Sequence, residues 1–221
     1  MKIKSYPSIL YFGTPVVLIS SKNPNNSDNL APASSIFWLG WRCVIGLGAG
    51  SQTSQNLLRT GQCVLNLPSA DLVGSVNKLA KTTGRYPVPE AKIQKGYFFV
   101  EDKFDHAGFS SEFSETVEPL RVKECPVQLE AIVESSYSLA ANDEIQKGKI
   151  LIFELKINRV YLEKDILLNE NPDRVDPNKW KPLIMSFQEF YTLGEKINYS
   201  TLAEISETLY NTPDRAMAMK S

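Results

Sequence analysis

The residues best suited to chemistry lie between Gly46 and Asn56, in the run GLGAGSQTSQN. A phosphate group needs several donors converging on it without side-chain bulk. Glycines at 46, 48 and 50 let the backbone come close, and Ser51 and Thr53 add hydroxyls. The start of a helix adds unpaired N–H groups at its positive dipole end. The same residues also describe an ordinary helix after a tight turn, with Thr53 as its N-cap, and the motif alone leaves both readings open. A dinucleotide fingerprint fits less well: the glycines do not follow G-x-G-x-x-G, and the expected helix is only about two turns long.

A second candidate is NLAPASS, Asn29 to Ser35. Strands favour large β-branched residues, yet Ala31, Ala33, Ser34 and Ser35 follow one another closely here. Small side chains let a flat group such as an isoalloxazine ring lie against the backbone, with main-chain and hydroxyl groups free to bond its edge. Close packing against another strand would use the same residues. His106 is the single histidine, which excludes zinc sites and mechanisms built on several imidazoles. It lies in a polar, loop-like stretch and reads as a surface residue. Trp38 and Trp41 read as core or interface aromatics.

These groups must be positioned by an antiparallel framework. Pro15 to Ser20 (PVVLIS) reads as a buried strand, Ser21 to Asn29 as turn chemistry, and Leu30 to Phe37 as the returning strand of a hairpin. Cys43 to Leu47 is a third strand. Ser54 to Arg59 is a short helix stopped by Gly61, and Gln62 to Leu67 is a strand ended by Pro68. Leu72 to Lys81 carries helical periodicity. Residues 82–118 form a long, irregular insertion with one short strand near Tyr97 to Val100, and such connections are commonly functional. Val127 to Leu139 and Lys149 to Leu162 pair as long antiparallel strands. Residues 170–221 form a C-terminal extension that caps the domain or meets a partner. Within it, Phe187 and Tyr191 are spaced to share a helical face, and Ser200 to Asn211 reads as a terminal helix with Leu202, Ile205 and Leu209 on one side. About six strands with short helices between them give a mainly β class: a single domain over 1–221, built as an antiparallel, Greek-key-like barrel with helical decoration.

Composition narrows the function classes. The 24 basic and 25 acidic residues leave a net charge of −1, so no surplus charge points to nucleic acid or a membrane surface. Three scattered cysteines, Cys43, Cys63 and Cys125, make neither a disulfide framework nor a zinc knuckle and read as buried thiols. The N-terminus lacks the apolar run of a secretory signal, no apolar run is long enough to span a bilayer, and the expected compartment is the cytoplasm.

Together the motifs resemble a known family. The order is PVVLIS, a polar turn, N-L-A-P-x-S-S, a strand ending in G-L-G, then S-x-T-x-x-N-L and G-x-x-V-L-N-L-P-S. This is similar to the flavin-reductase-like, FMN-binding split-barrel family that includes flavoredoxins. Asp102 to Ala131 and Trp180 to Glu195 also resemble family segments. The resemblance implies a split β-barrel that binds FMN non-covalently, a homodimer with the flavin in a groove near the subunit interface, and NAD(P)H as electron donor. It would place ring contacts on Ala33, Ser34 and Ser35 and phosphate contacts on Ser51, Gln52 and Thr53, with Asn56 behind them. Thr82, Thr83 and Arg85 would close over the phosphate. The implied activity is reduction of flavin or a small acceptor. Many members carry a histidine before the last long strand, where this chain has Ser136-Tyr137-Ser138, and an electron carrier or flavin-sequestering module is therefore the other reading.

Overall fold

The computed structural model describes all residues except 203, 205 and 221, and only the backbone at 207 and 208. The chain begins with β1 (Phe12–Pro15), β2 (Val17–Lys22) and β3 (Asp28–Ala33), followed by β4 (Ile36–Leu39), β5 (Arg42–Gly48), α1 (Gln52–Thr60) and β6 (Gln62–Leu67). After α2 (Val73–Lys78) come β7 (Thr82–Thr83), α3 (Glu90–Ile93), β8 (Phe98–Phe99), α4 (Lys103–Ala107), β9 (Ser111–Glu112) and β10 (Arg121–Val122). The long strands β11 (Val127–Ser138) and β12 (Ile150–Leu162) follow, then β13 (Ile184–Ser186), β14 (Glu189–Tyr191) and α5 (Pro213–Ala218).

Seven strands form one sheet in the order β3-β2-β6-β11-β12-β5-β4, every pair antiparallel. Its two edge strands, β3 and β4, are joined by only Ser34 and Ser35. Three Cα steps reach about 11 Å, whereas the edges of a flat seven-stranded sheet would lie about 29 Å apart. The sheet must therefore curl until its edges meet. Gly46 N donates to Ser35 O at 2.9 Å, which carries the β4–β5 ladder one residue into this link. The expected strand over Leu30 to Phe37 is thus two strands, because the chain changes sheet edge in its middle.

The barrel interior holds Val17, Ile19, Ile45, Leu65, Phe153 and Leu155, all at 0% exposure. A second core, with Leu18, Leu30, Val76, Leu79 and Phe104, lies on the outer face under α2 and α4. β2 is buried on both faces, which explains its unbroken apolar run. Trp38 and Trp41 pack half-buried against the inner core, and all three cysteines are buried and free. Burial pushes the Cys43 thiol up to about 12.

The 82–118 segment holds more structure than its composition suggests. β7 and β8 pair in parallel. Asp102 caps α4 by accepting from Asp105 N at 3.0 Å, and Gly108 ends it with a left-handed φ of 76°. His106 is therefore helical rather than in a loop; it is exposed, with its ring nitrogen 3.1 Å from Lys78 O. The tail of the segment is pinned by Glu130, which is fully buried and accepts from Glu115 N at 2.9 Å and from Thr116 N and Oγ1 at 2.6 Å each.

Two C-terminal expectations are corrected. Phe187 and Tyr191 lie not on a helix but on the β13–β14 hairpin, whose two turn residues, Phe187 and Gln188, have φ of 46° and 70°. That turn needs left-handed backbone normally announced by Asn or Gly, so the sequence hides it. In place of a helix over 200–211, the described residues show a 3₁₀ turn at Glu207–Tyr210; Ile205 lies outside the described residues. The terminal helix is α5, capped by Thr212 and tied to the barrel by Asp214, which accepts from Arg42 at 2.9 Å.

Glu130→Ala leaves two loop amides and the Thr116 hydroxyl without their buried acceptor, and removes a carboxylate 3.8 Å from Arg121. We expect a loss of about 3–5 kcal/mol, the usual cost of removing one partner from a buried charged network, measured by urea unfolding.

Candidate functional site

A cavity of about 630 Å³ opens beside β3 and the start of α1, within the range of about 300–1,000 Å³ typical of small-molecule sites. Asn29, Ala31 and Pro32 of β3 and Ser34 of the seam form one wall; Ser51, Gln52 and Thr53 form a second. The run from Leu79 to Gly84 with Lys92, Tyr97 and Lys103 closes a third side. Ile9 and Tyr11 from the N-terminal segment and Met185 and Gln188 from the hairpin complete the mouth.

Ser51, not Thr53, is the N-cap of α1: its Oγ accepts from Ser54 N at 3.0 Å. Thr53 instead sits in the first turn, where its Oγ1 accepts from Asn29 Nδ2 at 3.1 Å. The amides of Gln52 and Thr53 keep no protein acceptor, as the first N–H groups of a helix do. Asn29 is 1% exposed, and its Oδ1 has no hydrogen-bond partner. A buried, unpaired amide oxygen is costly, so it marks a place where a ligand donor belongs. Gly84 keeps this space open: a Cβ there would come within 2.5 Å of Asn29 Oδ1.

The opposite side is cationic. Lys103 is 3% exposed, and its ammonium makes no hydrogen bond or ion pair among the described residues. Burial, reinforced by the charge of Lys92, lowers its pKa from 10.5 to about 7. Lys92 donates to Thr83 Oγ1 at 3.3 Å, and burial and then Arg85 lower its pKa too. A buried and a half-buried cation without a counter-ion, across the cavity from free helix amides, favour an anion.

Of the residues singled out in the sequence, Ser34, Ser51, Gln52, Thr53, Thr82 and Thr83 line this one cavity. Four stand back from it. Ala33 packs against the barrel core. Ser35 Oγ lies 2.6 Å from Tyr11 Oη. Asn56 is buried below, accepting from Gln52 Nε2 at 2.8 Å and donating to Ser21 and Asn23 at 3.0 Å each. Arg85 is exposed and reaches Gly50 O at 3.4 Å. Sequence reasoning missed Lys92 and Lys103, and gave Asn29, the first residue of the NLAPASS motif, no role of its own. Asp102 as a helix cap was the available signal for Lys103, since it makes 103–107 a helix with Phe104 and Ala107 on its buried side. Among the described residues no cluster of His, Cys, Asp and Glu could hold a metal ion, and no helix is long and apolar enough to cross a membrane.

The cavity fits the phosphate end of a flavin nucleotide: amides and two lysines for the anion, a buried acceptor in Asn29, and small residues along β3. Comparison with known proteins agrees with this geometry. Residues 9–194 match the model of the flavin reductase like domain. The uncharacterized protein YdfE of Bacillus subtilis (strain 168) is 33% identical over 198 residues, covering 90% of this chain and 92% of that protein. The flavoredoxin of Desulfovibrio vulgaris (Miyazaki F) superposes with a TM-score of 0.73 at 19% identity, covering 92% of this chain and 99% of that one. The flavoredoxin of Methanosarcina acetivorans gives 0.70 at 17% identity, with 92% and 97% covered.

Because the Lys103 pKa is lower in the folded than in the unfolded protein, the unfolded chain binds more protons between about 7 and 10.5. The ligand-free protein therefore gains stability as pH rises through that window. Lys103→Met, which keeps the apolar stem, should flatten this rise and raise stability at pH 7. Denaturation midpoints measured from pH 6 to 10 check both.

Proposed function

This chain belongs to the flavin reductase like domain family, and on that premise we propose that it is an FMN-binding oxidoreductase that reduces flavin or a small acceptor with NAD(P)H. The observation that carries the reading is the convergence of the free α1 amides, the unpartnered Lys103 and the orphaned Asn29 Oδ1 on one cavity. Ser51, Gln52 and Thr53, with Thr83, Lys92 and Lys103 opposite, would hold the phosphate. Asn29 would accept from a ligand donor, and the ring would lie along Ala31, Pro32 and Ser34. The flavin, when bound, supplies the hydride and electron chemistry.

The chain's own part is to bind and orient. Lys103 and Lys92 balance the phosphate charge in a site where water screens little. Asn56 holds Gln52 in place. The Tyr11–Ser35 hydroxyl pair ties the N-terminal segment to the seam.

A second reading is an electron carrier without NAD(P)H turnover. The observation that favours it is His106, the single histidine, which lies outside the cavity lining on α4, against Lys78 O, so no imidazole lines the cavity. Stopped-flow mixing of the FMN-loaded protein with NADH and with NADPH separates the two. We expect the flavin band to bleach at an enzyme-like rate with one of them; a band unchanged over minutes assigns the carrier role.

We also propose that the protein works as a homodimer. Phe187 and Tyr191 of the hairpin are 44% and 57% exposed, beside a cavity mouth that the hairpin lines. Sedimentation should give twice the chain mass, and Phe187→Asp should shift it toward monomer.

A further inference from the structure

We propose that Lys103 is a covalent capture site for phosphorylated aldehydes, with the phosphate seated on the α1 amides and the lysine amine joined to the carbonyl carbon as an imine. The inference rests on the phosphate site of the flavin reading and adds a reaction to it. Lys103 is 3% exposed and borders the main cavity. Asp102 caps α4 at the residue before it, and Phe104 and Ala107 of the same helix are buried, so the backbone that carries Lys103 is held in place. Its ammonium makes no hydrogen bond or ion pair among the described residues. Lys81 and Lys92 border the same cavity, and none of its lining residues is Asp or Glu.

A lysine in this setting is a nucleophile. Burial without a counter-ion favours the neutral amine, and the charge of Lys92 adds to the effect; together they bring the Lys103 pKa to about 7. Near neutral pH a large share of the empty protein therefore carries a free lone pair on Lys103. An exposed lysine holds on the order of one free amine in a few thousand at that pH. Desolvation beside a second cation is the condition that makes lysine reactive toward carbonyls. The opposite wall selects the other end of the reagent, because the free amides of Gln52 and Thr53 accept a phosphate. A short phosphorylated aldehyde, of triose or pyridoxal size, fits a cavity of about 630 Å³ and presents one group to each wall. The step balances without a further reagent. The Nζ lone pair attacks the carbonyl carbon, a C=N bond forms, and the carbonyl oxygen leaves as water with the two amine protons; nothing is oxidised or reduced. A flavin phosphate would fill the cradle and keep Lys103 protonated. Capture therefore belongs to the flavin-free protein and competes with flavin loading.

The test treats the flavin-free full chain with pyridoxal 5′-phosphate near neutral pH, reduces the adduct with borohydride and maps it by peptide mass spectrometry. We expect label on Lys103 to form about tenfold or more faster than on Lys95 and Lys123, which are exposed and serve as internal controls. Pyridoxal, which lacks the phosphate, should label Lys103 about tenfold or more slowly than its phosphate ester, the effect of losing charge-assisted bonds. Lys103→Met should lose this label while Lys95 and Lys123 keep theirs. Saturating FMN should slow labelling of Lys103 in the wild type and leave the two controls unchanged. Label spread evenly over exposed lysines, or equal rates at Lys103 with and without the phosphate, overturns the proposal; FMN titration of the same protein then shows separately whether the flavin reading stands. Selective, phosphate-dependent labelling of Lys103 that FMN does not slow supports the capture site and counts against the flavin reading.

Discussion

A two-residue link between the edges of a seven-stranded sheet is the constraint from which the rest of the structure follows. Ser34 and Ser35 are too short to cross a flat sheet, so the sheet closes, and the closure brings the outer edge of β3 beside the β5 end. The helix α1 leaves β5 at Gly48 and starts next to that edge. Asn29 of β3 and Thr53 of α1, 24 residues apart in the chain, consequently share a hydrogen bond. The site is the junction of a closed seam and a helix start, and neither would form it alone.

Charge then decides what the junction accepts. The charged groups of the framework are largely satisfied: Glu130 takes loop amides and lies near Arg121, and Arg42 bridges Glu154 and Asp214. The cavity differs. Lys103 is buried without a partner, and Lys92 has only a neutral hydroxyl and the face of the Tyr97 ring, 5.4 Å away. Both pKa values are lowered by burial, the expected cost of holding ammonium groups out of water. A bound anion offsets that cost, so the same lysines that weaken the empty fold favour a phosphate-bearing ligand.

The walls come from four separate parts of the chain: the N-terminal segment, β3 with α1, the 79–103 run and the C-terminal hairpin. Such a site depends on long-range packing. Its exposed pieces, Tyr11 and Gln188 at the mouth, lie on connections rather than on the barrel. That leaves the barrel free to hold the cradle rigid while the rim sets which ligand fits.

Local rules made much of this legible in the sequence. The double-sided burial of PVVLIS, the Gly61 stop, the antiparallel pairing of the two longest strands and the small-residue run at Asn29 to Ser35 all follow from propensity and periodicity over a few residues. So do the free amides of Gln52 and Thr53, since a helix start carries them whatever surrounds it. Closure of the barrel decided what lay beyond that reach. It split Leu30 to Phe37 into two strands, turned Ala33 to the core and Ser34 to the cavity, and brought Lys92 and Lys103 from an irregular insertion to face α1. Burial and charge pairing depend on which distant segments meet, and a one-dimensional pattern carries the chemistry of each residue but not the neighbour that gives it a role.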